Sequence, residues 1–183
     1  MLEINNSPFP EIKTEKLILR NLELSDAPEM LFLRSDESVM KYIDRERTRS
    51  LEEAGSFIQK MKDSVDKNEN IMWVISLKEK PDVMIGYIGY WRIKLQHYRA
   101  EVGYALHPAY WNKGIMKEAL LAVTQYGFGP MKLHSIEAQI NSENIASGKL
   151  LEKTGFIKEG YFKEDYFANG RFIDSVVYSL LEK

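Results

Sequence analysis

Apolar and polar residues follow two periods along this chain, and together they predict seven strands and four helices. Apolar runs and period-two alternation predict strands at residues 17–22, 71–77, 83–93, 97–106, 133–140, 161–167 and 172–181. Helical spacing and cap residues predict helices at 26–34, from Ser50 to about 65, after Gly114, and between Asn141 and Gly155. The helix after Gly114 separates the strands at 97–106 and 133–140, so these two strands are expected to run parallel. An Asn-Gly pair at 169–170 predicts a hairpin turn before the last strand.

The segment 100–120 reads as a strand, a short loop that ends at a glycine, and an amphipathic helix. Strand alternation places Glu101 and Gly103 on one face, and Val102 and Tyr104 on the other. The apolar face of the helix is predicted to contain Met116, Ala119, Leu120, Val123, Tyr126 and Gly127. A helix that opens from a glycine-containing loop offers unpaired N–H groups and a positive dipole end, which favour an anion. Strand–loop–helix units are also ordinary scaffolding, so spacing alone leaves both interpretations open.

The segment 141–156 predicts another helix and carries two polar residues that the helix does not need. Asn141 is predicted to cap the helix and Gly155 to end it. Asn144 and Ser147 lie three residues apart and therefore share one helical face, where neither favours a helix interior. This pair is a candidate for a binding function.

These segments resemble the GCN5-related N-acetyltransferases (GNAT), and more closely their Rim-type branch, the ribosomal-protein N-terminal acetyltransferases and their relatives. The resemblance rests on A-E-V-G-Y at 100–104, Y-W-N-K-G at 110–114, the N-x-x-N-x-x-S-x-K-x-x-E-K-x-G-F element at 141–156, and T-E-K-L-I-L-R at 14–20. Weaker similarity extends over residues 14–181, and the element order β-α-α-β-β-β-α-β-α-β-β is that of the family. One departure is Met116, where the family usually has Gly or Ala, so its side chain must point away from a bound phosphate.

The resemblance implies an α+β fold in a single domain over residues 1–183. The expected GNAT fold is a twisted, mostly antiparallel sheet with one parallel, splayed strand pair and helices on both faces. It also implies acetyl-CoA as co-substrate, with its pyrophosphate on the loop before the helix. The implied coenzyme contacts are Val102, Gly103, Trp111, Asn112, Lys113, Gly114, Ile115, Met116, Asn144, Ser147, Lys149 and Lys153. Asn144 is expected to contact the pantetheine arm and Ser147 to lie near the sulfur, whereas Trp111 is expected to pack against the loop.

The chemistry implied by the resemblance needs a base, an acid and an oxyanion donor. An α-amine with a pKa of ~7.7–8.0 is mostly protonated near neutrality, so a general base assists its attack. Glu101 is the leading candidate for this base, and an ion pair with a cation on the next strand is the alternative. Ser147 is the candidate acid, or a hydrogen-bond partner of the helix backbone, and Tyr104 is the fallback acid. A backbone amide within residues 102–104 is expected to donate to the oxyanion.

Composition narrows the class of protein and of mechanism. The chain has 183 residues, 44% of them hydrophobic and 28% charged, which suits a soluble domain with a sizeable core. Its net charge of −2 offers no positive field for nucleic acid.

The chain has no cysteine, so the acetyl group is expected to pass directly to the amine in a ternary complex. The absence of cysteine also fits a cytoplasmic location. No membrane span or signal peptide is expected, because no apolar run approaches ~20 residues and the N-terminus mixes polar and apolar residues. No metal site is expected, since the three histidines lack ligand spacing. A monomer or homodimer is expected.

The acceptor is the part of the site that the motifs do not describe. The favoured acceptor is a peptide or protein N-terminal α-amine, because the Rim-type resemblance points there. A small-molecule amine and a non-catalytic acyl-CoA-binding module remain alternatives. Residues 35–50 and the hairpin at 161–172 are expected to form the acceptor half. Arg45, Arg47 and Arg49 in the first of these are either a solvated surface or a contact for an acidic acceptor.

Overall fold

The computed structural model describes residues 2–43, 45–168 and 170–182, and its centre is one eight-stranded sheet. The strands are β1 (Ile12–Lys13), β2 (Leu17–Arg20), β3 (Ile71–Leu77), β4 (Gly86–Lys94), β5 (Arg99–Leu106), β6 (Ser135–Asn141), β7 (Ile157–Ala168) and β8 (Arg171–Leu181). The helices are α1 (Ala27–Ser35), α2 (Glu37–Met40), α3 (Leu51–Asp66), α4 (Ile115–Phe128) and α5 (Ile145–Lys153). The spatial order of the strands is β1-β2-β3-β4-β5-β6-β8-β7.

Within the described residues, β5 and β6 form the parallel pair and the other neighbouring strands are antiparallel. The connection between β5 and β6 runs through α4, as a parallel crossover requires. The expected mixed fold with a mostly antiparallel sheet is therefore confirmed.

Helices cover both faces of the sheet, and strand alternation decides which residues each layer meets. On one face, α1 and α3 pack Met30, Leu33 and Ile58 against the strands. On the other face, α4 and α5 pack Leu120, Val123 and Leu151 against the strands. Strand β3 is buried on both faces over residues 71–76, because it lies between these two layers. Each layer contributes an apolar core of its own, and together they hold the middle strands rigidly.

Two features of the sheet and helices follow directly from local chemistry, and the first of them is predicted from sequence. Ser50 caps α3, since its hydroxyl oxygen accepts the Glu53 N–H at 3.2 Å. Gly89 allows β4 to approach β3 closely, because a Cβ atom there would lie 2.4 Å from the Ile71 carbonyl oxygen.

Several element boundaries differ from the sequence predictions, and turns account for the differences. β4 begins at Gly86 instead of residue 83, because Lys80 and Val83 donate to carbonyls within a turn. β5 begins at Arg99, since residues 95–97 form a short 3-10 turn and Tyr98 has a φ of 50°. β1 and α2 were not predicted, as they have two and four residues. β7 is longer than predicted and begins at residue 157. The predicted hairpin turn includes Asn169, which lies outside the described residues.

Candidate active site

The parallel strands β5 and β6 separate in the middle of the sheet, and the gap between them is the centre of the candidate site. Their pairing has three register positions, from Arg99 opposite Ser135 to Glu101 opposite Glu137. Beyond these positions β5 continues to Leu106 and β6 to Asn141, but the two strands no longer pair with each other. The expected splayed pair is therefore present.

Backbone alternation shows which groups of β5 point into this gap. The His107 N–H donates to Ile85 on the β4 side at 2.8 Å, whereas the Tyr98 carbonyl accepts from Ser135 on the β6 side. Even-numbered residues of β5 therefore direct their backbone groups toward β6. The Tyr104 N–H lies three residues past the last paired position, so it points into the gap. Among residues 102–104, it is the best-placed amide for an oxyanion.

Gly103 contributes differently, because its backbone lies on the β4 side opposite Gly89. A Cβ atom at Gly103 would lie 2.7 Å from the Trp91 indole nitrogen. The glycine therefore allows Trp91 to cross the face of β5 directly beside Glu101.

Glu101 lies on the sheet face that α1 and α3 cover, the same face as buried Ala105. Its Oε2 accepts a hydrogen bond from Arg92 Nη1 at 2.9 Å, and its side chain is 17% exposed. Burial raises the pKa of Glu101, the Arg92 guanidinium lowers it, and the neighbouring Glu137 raises it further. The ion-pair alternative therefore describes a real contact, but the net shift is upward, toward a stronger base.

Tyr104 and Ser147 meet on the opposite face of the sheet. Their hydroxyl oxygens are 2.7 Å apart, in a hydrogen bond that either group can donate. Ser147 is buried at the start of α5, and loss of solvation raises the pKa of Tyr104 to about 12. Sequence alone treated these hydroxyls as separate candidate acids, and the fold joins them.

The start of α5 corrects one prediction. Asn141 is the last residue of β6, and the cap of the helix is Asn144, whose Oδ1 accepts the Ser147 N–H at 3.1 Å. The prediction of Asn141 as the cap was wrong because the strand extends one residue further than expected and a turn follows. Asn144 therefore has a structural role, with its amide nitrogen still available to a ligand. Gly155 follows the end of the helix with a φ of 93°, as predicted.

The loop before α4 has the glycine turn and the helix start that the sequence predicts. Asn112 and Gly114 adopt left-handed conformations, with φ of 59° and 76°, and α4 begins at Ile115. Ile115 and Met116 bury their side chains in the core, so the Met116 side chain does not occupy the space before the helix. The N–H groups of the first turn remain directed along the helix axis.

Two aromatic residues hold this loop in place. The Trp111 indole N–H donates to the Leu106 carbonyl at 2.7 Å, so Trp111 packs against the loop as expected. The Lys113 ammonium lies 5.7 Å from the centre of the Tyr110 ring. Lys149 and Lys153 are exposed on α5.

Sequence reasoning missed three residues that the fold brings to the gap. Arg92 is bonded to Glu101, and Glu137 lies opposite it with Arg99 as its own partner at 2.7 Å. Tyr178 on β8 lies against α5, where a Cβ atom at Gly148 would be 3.0 Å from its hydroxyl. Pairing Gly89 with Gly103 places Trp91 opposite Glu101. Arg92 reaches Glu101 because its φ of 46° and the irregularity of β4 after Trp91 break the alternation, and no sequence signal indicated this.

Residues 2–43, 45–168 and 170–182 contain no group of histidine or acidic side chains suited to a metal ion. In the same residues, no helix combines the length and the apolar character that crossing a bilayer demands.

Comparison with known proteins relates this arrangement to one family. The family model described as the acetyltransferase (GNAT) domain matches residues 16–157. The uncharacterized N-acetyltransferase YoaA of Bacillus subtilis (strain 168) is 34% identical over 174 residues, which cover 95% of this chain and 98% of YoaA.

Two solved structures extend the comparison to proteins with different acceptors in their names. A ribosomal-protein-S5-alanine acetyltransferase from Vibrio fischeri has a TM-score of 0.82 and 26% identity, covering 94% of this chain and 96% of that protein. A spermidine N-acetyltransferase from Vibrio cholerae, in complex with CoA and spermine, has a TM-score of 0.81 and 27% identity, covering 92% of this chain and 96% of that protein.

Proposed function

This chain belongs to the GNAT family of N-acetyltransferases, and we propose that it uses acetyl-CoA to acetylate the α-amine of a peptide or protein N-terminus. The observation that carries the proposal is the gap between β5 and β6, with Glu101 on one face and the Tyr104–Ser147 pair on the other. A base and a hydroxyl pair that approach from opposite sides match the needs of an amine attacking a thioester.

The coenzyme is assigned to the end of the sheet where α4 begins. Helix N-termini favour pyrophosphate because their N–H groups are unpaired and their dipole is positive. The left-handed Gly114 and the buried Met116 leave that end free of side chains. The pantetheine arm would then enter the gap between β5 and β6, toward the Tyr104 N–H.

Glu101 acts as the base in this proposal, directly or through one water. The attacking nitrogen forms the C–N bond, the C–S bond breaks, and the surplus amine proton passes to the Glu101 carboxylate. The raised pKa of Glu101 suits this role, because a stronger base matches an amine of pKa ~7.7–8.0 more closely. The Arg92 guanidinium opposes this rise in the pKa of Glu101, because it favours the ionised carboxylate.

The Tyr104–Ser147 pair stabilises the departing thiolate by hydrogen bonding. An ordinary thiol has a pKa near ~8.5, so its thiolate is a weaker base than a tyrosinate whose pKa is about 12. Donation of a hydrogen bond is therefore favoured over complete proton transfer from Tyr104. The thiolate takes its proton from solvent after it leaves.

A peptide acceptor is favoured over a polyamine by the charges near Glu101. A polycationic acceptor calls for a dense acidic lining, whereas Arg92 pairs with Glu101 and the positive charge of Arg45 also acts on it. The relatives include enzymes named for each of the two acceptor types, so the acceptor is inferred here from the charges of this site. The departure from the family pattern at Met116 would favour a non-catalytic acyl-CoA-binding module if its side chain blocked the coenzyme. Met116 is buried in the core, so it gives that alternative no support.

The test is thiol release from acetyl-CoA with three acceptors: a peptide with a free N-terminus and a distal lysine, its N-terminally blocked counterpart, and spermidine. We expect turnover with the first alone, and mass spectrometry should find the acetyl group on the α-amine. Turnover only with spermidine, or modification of lysine alone, would contradict a peptide α-amine as acceptor. Coenzyme binding without turnover of any amine would support the non-catalytic alternative.

A further inference from the structure

A cationic depression lies over the same sheet face as Glu101. The loop from residue 41 to 49 joins α2 to α3 and lines an open depression of about 520 Å³. Its cationic lining residues are Lys41, Arg45, Arg47 and Arg49. Residues 41–49 contain these four cations and two carboxylates, Asp44 and Glu46, of which Asp44 lies outside the described residues. The depression is therefore positive on balance.

This loop is anchored, so its charges have a defined position. The Thr48 N–H donates to the Arg34 carbonyl at 3.0 Å, and Arg34 Nε donates to the Thr48 hydroxyl at 2.9 Å. The Arg34 guanidinium also lies 3.9 Å from the centre of the Phe57 ring. Met40 and Ile43 supply apolar surface within the same depression. Arg34 thus holds the loop, and the remaining cations are left on the rim.

Arg45 is the residue of this loop whose positive charge acts on the candidate base, and the nearby Ile43 packs against the apolar cluster that contains Ala105, on the Glu101 face of β5. Arg45 is exposed, and its positive charge lowers the pKa of the Glu101 carboxyl. No carboxylate in the described part of the chain lies within 4.0 Å of its guanidinium, whereas Arg47 is 4.0 Å from Glu37 and Arg92 is 2.9 Å from Glu101. Arg45 therefore keeps its capacity to bind an anion on the side of the sheet from which the proposed acceptor amine would approach Glu101.

Two carboxylates of the β7–β8 hairpin already have partners within the hairpin. Asp165 accepts a hydrogen bond from the Ser175 hydroxyl at 2.7 Å. Asp174 accepts from the Tyr161 hydroxyl and from the Glu164 N–H at 2.7 Å. These carboxylates are committed to the β7–β8 hairpin, so the stronger demand for a partner lies on the Arg45 side.

We infer that the enzyme selects peptide acceptors that carry an acidic side chain within the first three residues, and that Arg45 binds this side chain. This inference rests on the proposed function. The amine must approach Glu101 within ~3 Å or through one water. Two or three extended residues span about 7–11 Å, which is comparable to the ~8 Å range of charge interactions at physiological salt. A carboxylate farther along the peptide would leave this range.

The test uses three peptides that differ only at the second residue, which is Glu, Gln or Lys, each with the full-length enzyme. We expect kcat/KM for the Glu peptide to exceed that for the Gln peptide about three- to tenfold, as for a charge-assisted contact that remains partly solvated. The preference should decline in 1 M salt. Arg45→Gln should remove the preference, Arg45→Lys should retain part of it, and Arg45→Glu should favour the Lys peptide. Lys60→Gln makes the same change of charge on an exposed position of α3 and should leave the preference unchanged.

The outcomes separate this inference from the proposed function. Equal turnover of the three peptides would overturn the role of Arg45 while the peptide acceptor stands. Turnover of spermidine with no turnover of any peptide would overturn the proposed function itself. A raised KM for acetyl-CoA in Arg45→Gln, with peptide preference unchanged, would assign the loop to the coenzyme and contradict the inference.

Discussion

The two halves of the candidate site are built in opposite ways. The coenzyme half, at the start of α4 and α5, rests on buried residues and on backbone groups whose direction a left-handed Gly114 sets. The acceptor half rests on exposed charges of the loop at 41–49 and of the β7–β8 hairpin. Glu101 lies between the two, with its side chain on the sheet face that α1 and α3 cover and its backbone in β5.

This difference shows how one scaffold can serve several acceptors. Backbone amides and helix ends recognise phosphate whatever the acceptor is, so a shared coenzyme half keeps the same motif. Exposed side chains on loops alter specificity without changing the core. The ribosomal-protein and spermidine enzymes among the similar structures are consistent with this division. Variants in each half should therefore fail in different kinetic parameters.

The largest effect is expected at the junction of the two halves. Glu101→Gln removes the base but keeps the shape, so turnover should fall by ~10²–10⁴-fold, the usual contribution of general base catalysis. The rising limb of the pH–rate profile should flatten, because the titrating carboxyl is gone. Stopped-time thiol release across pH measures both. A fall of less than about threefold would demote Glu101 to a partner of Arg92.

Removal of the hydroxyl pair is the second test, and it addresses the coenzyme side of the gap. Ser147→Ala should lower turnover by about tenfold or more while the dissociation constant of acetyl-CoA changes little, because the hydroxyl acts on charge that develops in the transition state. Tyr104→Phe should have an effect of similar size. If the two hydroxyls act as one unit, the double variant should be little worse than either single variant. Additive losses would show that the 2.7 Å hydrogen bond is not functional.

The third test concerns the coenzyme half alone. Gly114 has a φ of 76°, so Gly114→Ala should cost about 1–2 kcal/mol of stability and misdirect the first-turn amides. Wild-type protein should gain ~2.7 kcal/mol at 100 times the dissociation constant of acetyl-CoA, and the variant should gain less at the same concentration. Urea unfolding with and without acetyl-CoA measures both quantities.

Gly55→Ala is the matched control for that variant. Gly55 lies in α3 with no atom within 4 Å of an added Cβ, so alanine should stabilise the helix by about 0.5–1 kcal/mol. Its gain from acetyl-CoA should equal that of the wild type. No stabilisation of the wild type by millimolar acetyl-CoA would remove the assignment of the coenzyme to α4.

The smallest effect is a shift in pH dependence. The Arg92 guanidinium lowers the pKa of Glu101 against burial and Glu137, which raise it. Arg92→Gln should therefore raise that pKa, so the carboxylate forms at higher pH and the rising limb of kcat/KM moves upward in pH. Arg45→Gln should move it in the same direction by less, since Arg45 is the smaller contribution. A downward shift in either variant would contradict the assignment of this limb to Glu101.

The sequence determines the structure of the coenzyme half more fully than that of the acceptor half. The glycine turn at 114, the buried face of α4 and the parallel strands around it follow from local rules, because capping, periodicity and crossover handedness act over short stretches of chain. The family motifs cover this same half. Predictions failed where two local signals competed, as at 141–144, where a strand end and a helix cap both favour asparagine.

Sequence alone determined the alternation that puts Glu101 and Tyr104 on opposite faces of β5, since side chains of a strand alternate whatever surrounds them. Tertiary structure decided their partners. Tyr104 meets Ser147 across 43 positions of sequence, and Arg92 reaches Glu101 at an irregularity of β4, where the φ of Arg92 is 46°. Those contacts also set the pKa values, because burial and neighbouring charge exist only once distant elements pack. Whether the charge of Arg45 acts on Glu101 depends on how α1 and α3 cover the sheet, and no local pattern in residues 41–49 encodes it.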